Sequence, residues 1–596
     1  VIRINEVKVE VISPSEIIVR KRLVATIMNE QGDDLASYFE HFSKLQKIED
    51  IYGRIYDKSG KVIEKIKKSE FHTRAATLSA GSYDDLKMMG YTVSYKSYPY
   101  TVEFCAEIVQ NHSYYLPELL VRPDRSLSVE KSSISINAPS GMEVNAMTRN
   151  GQFRYIENAL GDRKEKTWEI GGVRAEKEEF LEVQEYDGSP LVLLTLSQFQ
   201  LGTREGSMKD WKSFGLFIYH LNNGRDKLDG ATRKKVSELT VGLPGKFAKI
   251  EKLYKYLQES TRYVSIQYGI GGWQTLDASF VSANQYGDCK ALSNYMQAML
   301  KEAGIPSFTV LVSSGSTEFR KMPLDFPSNE FNHQILCVPM EKDTVWLECT
   351  SNIHPAGFTG ASTADRDALM ITPEGGVVVH TPRYDYETNA RHSSVIATPD
   401  KDGSLNCIMH SELSGILAER LLSINSLNSK QREHYLNNRL AFAGYKVDEY
   451  VLEENHIPML ARMMEMMRFT VSNIASPASS YFMVNLNLLP VTLPFEPQIG
   501  ERLRPFTLTT GFGLSDTLSL VIPDGYDLDT APKEVNLKTE FGEFHLAYTW
   551  NNKMVSAARK FIQHSGVFAA EKYEAYERWV DSIQDQNYYR VVLKAK

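Results

Sequence analysis

Apolar and polar residues alternate with a period of two in both outer parts of this chain, and only a middle stretch breaks the pattern. Near the start, Val7, Val9 and Val11 alternate with Glu6, Lys8 and Glu10. Tyr100, Val102, Phe104, Ala106 and Ile108 alternate with Thr101, Glu103 and Glu107, and Leu127, Val129, Ile134 and Ile136 extend the pattern. Successive side chains of a strand point to opposite faces, so this alternation describes antiparallel sheet with one face buried and one wet. Many such strands separated by Gly, Pro and Asn predict a β-sandwich. The longest apolar run, 190–196, reads as one more strand. One interruption, 34–51, places Leu35, Tyr38, Phe39, Phe42 and Leu45 at helical spacing and predicts a helix among the strands.

The texture changes in 222–245, which is rich in Gly and charge. Phe247, Ile250, Leu253, Tyr254 and Leu257 then form a helical stripe behind Pro244, a residue tolerated in a first turn. A second helix is expected over Cys289–Glu302, with Leu292, Tyr295, Met296, Met299 and Leu300 on one face and Gly304-Ile305-Pro306 as its stop. Short strands follow at Phe308–Val312, 333–338 and 344–350, so helices precede strands in an α+β unit. After Arg383 the alternation returns in Leu518, Leu520 and Ile522 and in Phe544, Leu546, Tyr548 and Trp550, ahead of an Asn551-Asn552 turn. Helical inserts are expected near 430–441 and at the end, 569–584, where Tyr573, Tyr576, Val580 and Ile583 share a face. The expectation is a multidomain chain: an N-terminal antiparallel β-sandwich over 1–235, an α+β core over 236–385, and a C-terminal β-rich domain with a terminal helix over 386–596. No internal repeat is visible in the sequence.

Composition removes several function classes. A net charge of −8, without a Lys/Arg cluster interleaved with aromatics, argues against a nucleic-acid partner. No apolar run approaches the roughly 18 residues of a membrane span. The first residue is Val1, so the lack of a leader is uninformative. Five cysteines are too few for a disulfide scaffold and odd in number. No Cys-x-x-Cys or His-Glu-x-x-His occurs, so neither a metal nor another cofactor is expected.

One constellation carries chemistry. Gly287-Asp288-Cys289-Lys290 opens the second helix, with Asp288 where an N-cap belongs. Cys289 then sits in the first turn, at the positive end of the helix dipole, where thiolate is favoured over thiol. A solitary cysteine on a helix is ordinarily a core residue, but this one has company. Forty-four residues on (333 − 289) comes Phe331-Asn332-His333 at the start of a strand, and fifteen further (348 − 333) comes Trp346-Leu347-Glu348-Cys349-Thr350 on the next. Neighbouring strands can set His333 and Glu348 side by side as base and orienter for a Cys289 nucleophile.

The stretch 263–350 resembles the transglutaminase-like superfamily of papain-fold cysteine proteases, and in particular a branch common in Bacteroidetes whose core lies between two β-rich domains of unknown function. Four pieces carry the resemblance: Tyr263-Val264-Ser265-Ile266 with 269–274; Gly287-Asp288-Cys289-Lys290; Phe331-Asn332-His333; and Trp346-Leu347-Glu348-Cys349-Thr350. It implies a papain/transglutaminase-like core acting on a protein or peptide substrate in the periplasm or at the cell surface. It also implies an oxyanion hole from the Cys289 backbone N–H and an upstream side chain, either Gln274 or Trp273. The family's third member is usually Asp where this chain has Glu348, and the residue after Lys290 is often Asp where this chain has Ala291. Two readings stay open: a thiol acyl-transfer enzyme that hydrolyses or transfers peptide or isopeptide amides, and a retired enzyme within a cell-envelope binding protein.

Strand parity yields a prediction about the cysteines. Cys337 shares the face of His333, four residues away, whereas Cys349 lies opposite Glu348. If His333 and Glu348 meet on one side, Cys337 and Cys349 diverge and cannot bridge. Cys105 and Cys407 lie in different β domains, so all five thiols should titrate in unfolded, unreduced protein. A colorimetric count of three, with Cys337 bonded to Cys349, would exclude the shared face.

Overall fold

The computed structural model describes the 596 residues except 77–81, 183–187, 316–320, 401, 441–443, 473–479, 499 and 589, and the side chains of 82, 83 and 588. The chain forms two compact units. One comprises Val1–Glu178, Gln184–Asn352 and Arg366–Thr381; the other comprises Glu179–Val183, Ile353–Asp365 and Pro382–Lys596.

The first unit opens with an eight-stranded sheet in the order Arg154–Leu160, Arg163–Val173, Val129–Pro139, Ile2–Ser13, Glu16–Ile27, Tyr100–Gln110, Gln46–Tyr56, Val62–Ile66. Three-stranded sheets, one containing Ser37–Phe42 and one containing Leu191–Leu196, share its apolar core. The sheet is not purely antiparallel as the alternation suggested: Ile2–Ser13 runs parallel to Val129–Pro139. Alternation reports which face is buried, and it is blind to strand direction. The expected helix over 34–51 is also overturned. A 3-10 turn, Glu30–Ala36, is followed by strands Ser37–Phe42 and Gln46–Tyr56. Here Tyr38 and Glu40 point inward and Phe39 outward. The buried Glu40, held by the Tyr38 hydroxyl at 2.6 Å and the Lys21 ammonium at 2.9 Å, disguises the two-residue period.

Helices begin at Trp211–Asn222, earlier than the spacing implied, and continue through Gly230–Thr240, Gly245–Ser260, Ala278–Asn284 and Cys289–Glu302. They accompany an antiparallel five-stranded sheet in the order Thr344–Leu347, His333–Pro339, Phe308–Val312, Asp367–Thr372, Gly375–His380. Trp211–Asn222 lies tight on the last hairpin because two glycines meet: a Cβ on Gly215 would come within 2.2 Å of Gly376. Tyr114 and Phe199, from the β-rich part, share an apolar cluster with Phe214, Phe217, Leu369 and Ile371. That cluster packs the β-rich part and the helical part into one unit.

The second unit holds another eight-stranded sheet, in the order Tyr445–Glu454, Arg462–Val471, Leu405–Ser414, Ala390–Pro399, Phe512–Val521, Met554–Gln563, Gly542–Trp550, Val535–Lys538. Its single parallel pair again joins the first strand, Ala390–Pro399, to the strand opening the other half, Phe512–Val521. Outward from the first strand, seven strands of each large sheet follow one order, with the hairpin partner and two further strands on one side and the parallel strand and a hairpin on the other; the eighth strand extends the first side in the first sheet and the second side in the second. The helix Tyr573–Asp585 buries Tyr573, Tyr576, Trp579, Val580 and Ile583. The insert expected near 430–441 is the helix Ser429–Asn437; position 441 lies outside the described residues. Phe180 and Leu181 pack against this unit's core, and Thr507 N donates to Leu181 O at 2.7 Å. The Glu179 carboxylate accepts from the amides of Leu503 and Arg504 at 2.9 and 3.0 Å. Among the described residues no helix is long and apolar enough to cross a membrane.

A polar row crosses the second unit's sheet in register: Arg559, Asp516, Ser393, Ser411, Glu465. Asp516 is fully buried and accepts from Arg391 at 3.0 Å and from Arg559 at 2.5 Å. Removing one partner of a buried pair strands the other charge, whereas replacing both with apolar residues does not. Asp516→Ala should therefore cost about 3–5 kcal/mol in urea unfolding, and Asp516→Leu combined with Arg559→Met and Arg391→Met far less. Equal losses would show that the charge pair is not what is being measured.

Candidate active site

Asp288 builds the seat of Cys289. Its carboxylate caps the helix by accepting from Ala291 N at 2.9 Å, and its other oxygen binds the Lys290 ammonium, both side chains being buried. Gly287 is demanded by the tight turn, since a Cβ there would lie 2.7 Å from the Ala291 methyl. Tyr263 sits opposite Gly287 in a short parallel pairing, and Val264 N donates to Gly287 O at 2.9 Å. Cys289 is thus the first helical residue, 6% exposed, among backbone amides that have no acceptor within the helix.

His333 opens its strand opposite Val312. On the neighbouring strand Trp346 is opposite Cys337, so Glu348, two residues on, falls on the His333 face. The His333 Nε2 lies 2.9 Å from Glu348 Oε2 and 3.0 Å from Oε1. Thr350 donates its amide to Oε1 at 3.2 Å and its hydroxyl to the same oxygen at 2.5 Å. The Tyr254 hydroxyl donates to the Glu348 carbonyl at 2.8 Å, fixing the backbone from the helix Gly245–Ser260. The Ser293 hydroxyl ties the Cys289 helix to the Gln334 carbonyl at 3.3 Å. With Nε2 committed to Glu348, the His333 ring also interacts with the Cys289 side chain, which helps to raise its pKa.

The electrostatics follow from this packing. Burial opposes a charge on His333, but the Glu348 carboxylate and the Cys289 sulfur outweigh it and hold the imidazolium up to about 10. Burial likewise raises Glu348, and His333 with Thr350 more than offset it, leaving the carboxyl below its ordinary value. Tyr263, about half exposed, has its hydroxyl pushed up by partial burial and by the nearby Cys289.

Of the residues singled out in the sequence, the structure brings Cys289, His333 and Glu348 together. Gln274 donates its side-chain amide to Leu221 O at 2.9 Å, leaving one N–H of that amide for another acceptor. Trp273 stacks among Tyr114, Tyr115 and His112, with centroids 5.3, 6.1 and 6.5 Å away. Sequence reasoning missed Thr350 and Tyr254. Thr350 had no periodic signal, because the strand expected over 344–350 ends at Leu347 and Thr350 lies in the turn that follows; Tyr254 had none beyond its helical stripe. The five cysteines are free. Cys337 packs with Val310, Ile335 and Trp346, 3.6 Å from the Met370 sulfur, whereas the buried Cys349 thiol lies 3.7 Å from the Leu347 carbonyl. Burial pushes Cys337 and Cys407 up to about 12 and raises Cys105 and Cys349 as well.

Residues 16–176 match DUF3857 and residues 480–593 match DUF3858, each a domain of unknown function with a solved structure, and the two flank the middle section. No curated protein matches the chain. Among solved structures, a "putative protease" from Parabacteroides distasonis ATCC 8503 aligns over 100% of this chain and 99% of its own, with a TM-score of 0.63 at 14% identity. That likeness shows a shared multidomain, β-rich fold along the whole chain. A "putative cysteine protease" from Cytophaga hutchinsonii aligns over 61% of this chain and 80% of its own at 8% identity, with a TM-score of 0.18. An M1 zinc metallopeptidase from Deinococcus radiodurans aligns over 40% and 53% at 10% identity, also at 0.18. Overlaps of 0.18 carry no weight.

The ion pair makes stability pH-dependent in a defined sense. His333 has its folded pKa raised from 6.5 to about 10, so its contribution is complete below the unfolded value and is lost as pH rises through about 10. Glu348 has its folded pKa lowered, so its contribution is present above the ordinary carboxyl value and is lost as pH falls through the folded one. The stability difference between wild type and Glu348→Gln should therefore be largest between the ordinary carboxyl value of 4.5 and the ordinary imidazole value of 6.5, and shrink on both sides of that window. A difference independent of pH from 6 to 10 in chemical denaturation would mean that His333 is not charged beside Glu348.

Proposed function

We propose that this chain is a thiol acyl-transfer enzyme with a papain/transglutaminase-like core over 236–385, hydrolysing peptide or isopeptide amides of a protein substrate in the bacterial envelope. The observation that carries the reading is the buried His333–Glu348 pair hydrogen-bonded beside a cysteine at a capped helix start. The "putative protease" description of the Parabacteroides distasonis chain supports it.

In this mechanism the thiol proton already resides on His333, in a thiolate–imidazolium pair, and the Cys289 sulfur attacks the scissile carbonyl carbon. The carbonyl electrons move to an oxyanion held by the Cys289 amide and a donor from Gln274 or Trp273. When the tetrahedral intermediate collapses, the C–N bond breaks and His333 passes its proton to the leaving amine. Water, deprotonated by His333, then attacks the thioester, releasing the carboxylate product and restoring the thiolate–imidazolium pair. Glu348 keeps Nε2 protonated, so that Nδ1 is the atom that exchanges protons with sulfur. A glutamate in place of aspartate fills this role because Thr350 and Tyr254 set its carboxylate and its backbone.

The test is labelling by a thiol-directed probe at pH 6 together with amide hydrolysis, each against Cys289→Ala. Cys289 should label rapidly and the variant should not. Glu348→Ala should cost about 10²–10⁴ in turnover while the fold persists, and Glu348→Asp should retain activity. Slow labelling together with equal turnover for wild type and Glu348→Ala would establish the competing reading, a retired enzyme kept as a binding module.

A further inference from the structure

The segment that leads to the nucleophile hangs between two anchors. At one end Tyr263 and Val264 pair with Gly287, two residues before Cys289. At the other end Gln274 turns back, its amide donating to Ile270 O at 2.8 Å, its side chain to Leu221 O at 2.9 Å, and the next amide, Thr275 N, to Asn222 at 2.8 Å. Between them lies the short turn Gly269–Gly272, with Gly269 at φ +54° and Gly271 open to any neighbour. A glycine-rich turn of this kind does not hold its own shape, because glycine loses the most backbone freedom on ordering.

The shape is imposed from the N-terminal β part. Ser265–Gln267 pairs in parallel with Ser82–Asp84, Ser265 facing Ser82. The Asp85 carboxylate accepts from Gly269 N at 3.0 Å with one oxygen and from Lys44 N at 2.8 Å with the other, joining a turn of the β-sheet to the glycine turn. The Lys44 ammonium lies 4.3 Å from the centre of the Tyr268 ring. Trp273 is gripped by the rings of Tyr114, Tyr115 and His112. His112 is fully buried, its ring tilted against that of Tyr115 with centroids 4.6 Å apart, and burial lowers its pKa to about 4, so this clasp is uncharged at neutral pH.

We infer that the N-terminal β part belongs to the catalytic machinery: it moulds the 263–274 segment that carries the oxyanion donor, and Asp85 is the positioning residue that fixes the glycine turn. The inference rests on the acyl-transfer reading. It gives the N-terminal region a task that does not involve binding substrate. It also places a determinant of rate more than two hundred residues before the nucleophile (289 − 85 = 204).

Two reactions of the same thiol separate positioning from general damage. Alkylation by iodoacetamide needs a reactive sulfur and no oxyanion hole; acylation by p-nitrophenyl acetate needs both. In Asp85→Ala the acylation burst should slow about tenfold or more, while alkylation of Cys289 stays within about twofold of wild type and the melting profile is retained. Asp85→Asn, which keeps one acceptor oxygen, should lie between. Lys44→Met, which removes only the ammonium over Tyr268, should slow acylation in the same selective way and to a lesser degree. Acylation at the wild-type rate in Asp85→Ala would overturn the inference, as would equal loss of acylation and alkylation. If Asp85→Ala does not fold, Asp85→Asn and Lys44→Met decide by the same criterion. A wild-type protein that shows no Cys289-dependent burst fails at the acyl-transfer reading itself and takes this inference with it; a burst insensitive to all three variants fails here alone.

Discussion

A carboxylate taken out of water must find enough donors to replace its hydration, and the arrangement around Cys289 is organised by one that does. Glu348 is 4% exposed, yet its oxygens meet an imidazolium, a backbone amide and a hydroxyl. Desolvating an unpaired carboxylate would cost several kcal/mol, so the charge is tolerable only while His333 and Thr350 stay in place. This ties together two strands, the segment after the second, and through the Tyr254 hydroxyl the helix Gly245–Ser260. The orientation of the His333 ring is thus a by-product of satisfying a buried charge. Asp288 repeats the logic at the helix start, where one carboxylate caps the helix and binds the buried Lys290.

The same accounting explains which parts of the structure could be read in the sequence. Asp288, Cys289, His333 and Glu348 were legible because each lies on or directly beside a regular element whose start is marked by a cap or by alternation, and faces on regular elements follow from parity. The helix Cys289–Glu302 could be bounded to the residue because Asp288 caps it and Gly304 follows its end. The segment 34–51 was misread because Glu40, a carboxylate, occupies an inward position that pattern reasoning reserves for apolar residues. The helix Trp211–Asn222 was overlooked although its buried Trp211, Phe214, Phe217, Ile218 and Leu221 recur at helical spacing opposite the exposed Lys212 and His220, so its signal was there to be read. The anchoring of 263–274 by Lys44, Asp85 and Tyr115 had no local signal at all. It depends on contacts between residues two hundred positions apart, which no periodicity encodes.

The two large sheets make a related point. They share a strand order around one parallel pair, yet the sequence shows no repeat. What the topology requires is a central first strand buried on at least one face and two hairpin wings. Different side chains can meet that requirement, including the row from Arg559 to Glu465 in the second sheet, where hydrogen-bonded polar groups take positions usually given to apolar ones. Strand order is a coarser constraint than side-chain identity, and it can persist where residue-level similarity does not.

The strap formed by Glu179, Phe180 and Leu181 has a consequence in time. Leu181 leaves the ribosome 326 residues before Thr507, the residue whose amide it receives (507 − 181 = 326). At about 5–20 residues per second that is an interval of roughly 16–65 s, long compared with the folding of a single domain. Throughout it the N-terminal part can complete its own core while Phe180 and Leu181 remain without theirs. The nascent chain therefore carries an unsatisfied apolar segment beside a finished domain, a natural handle for chaperones. A ribosome that stalls before residue 507 would leave that segment exposed for quality control to find.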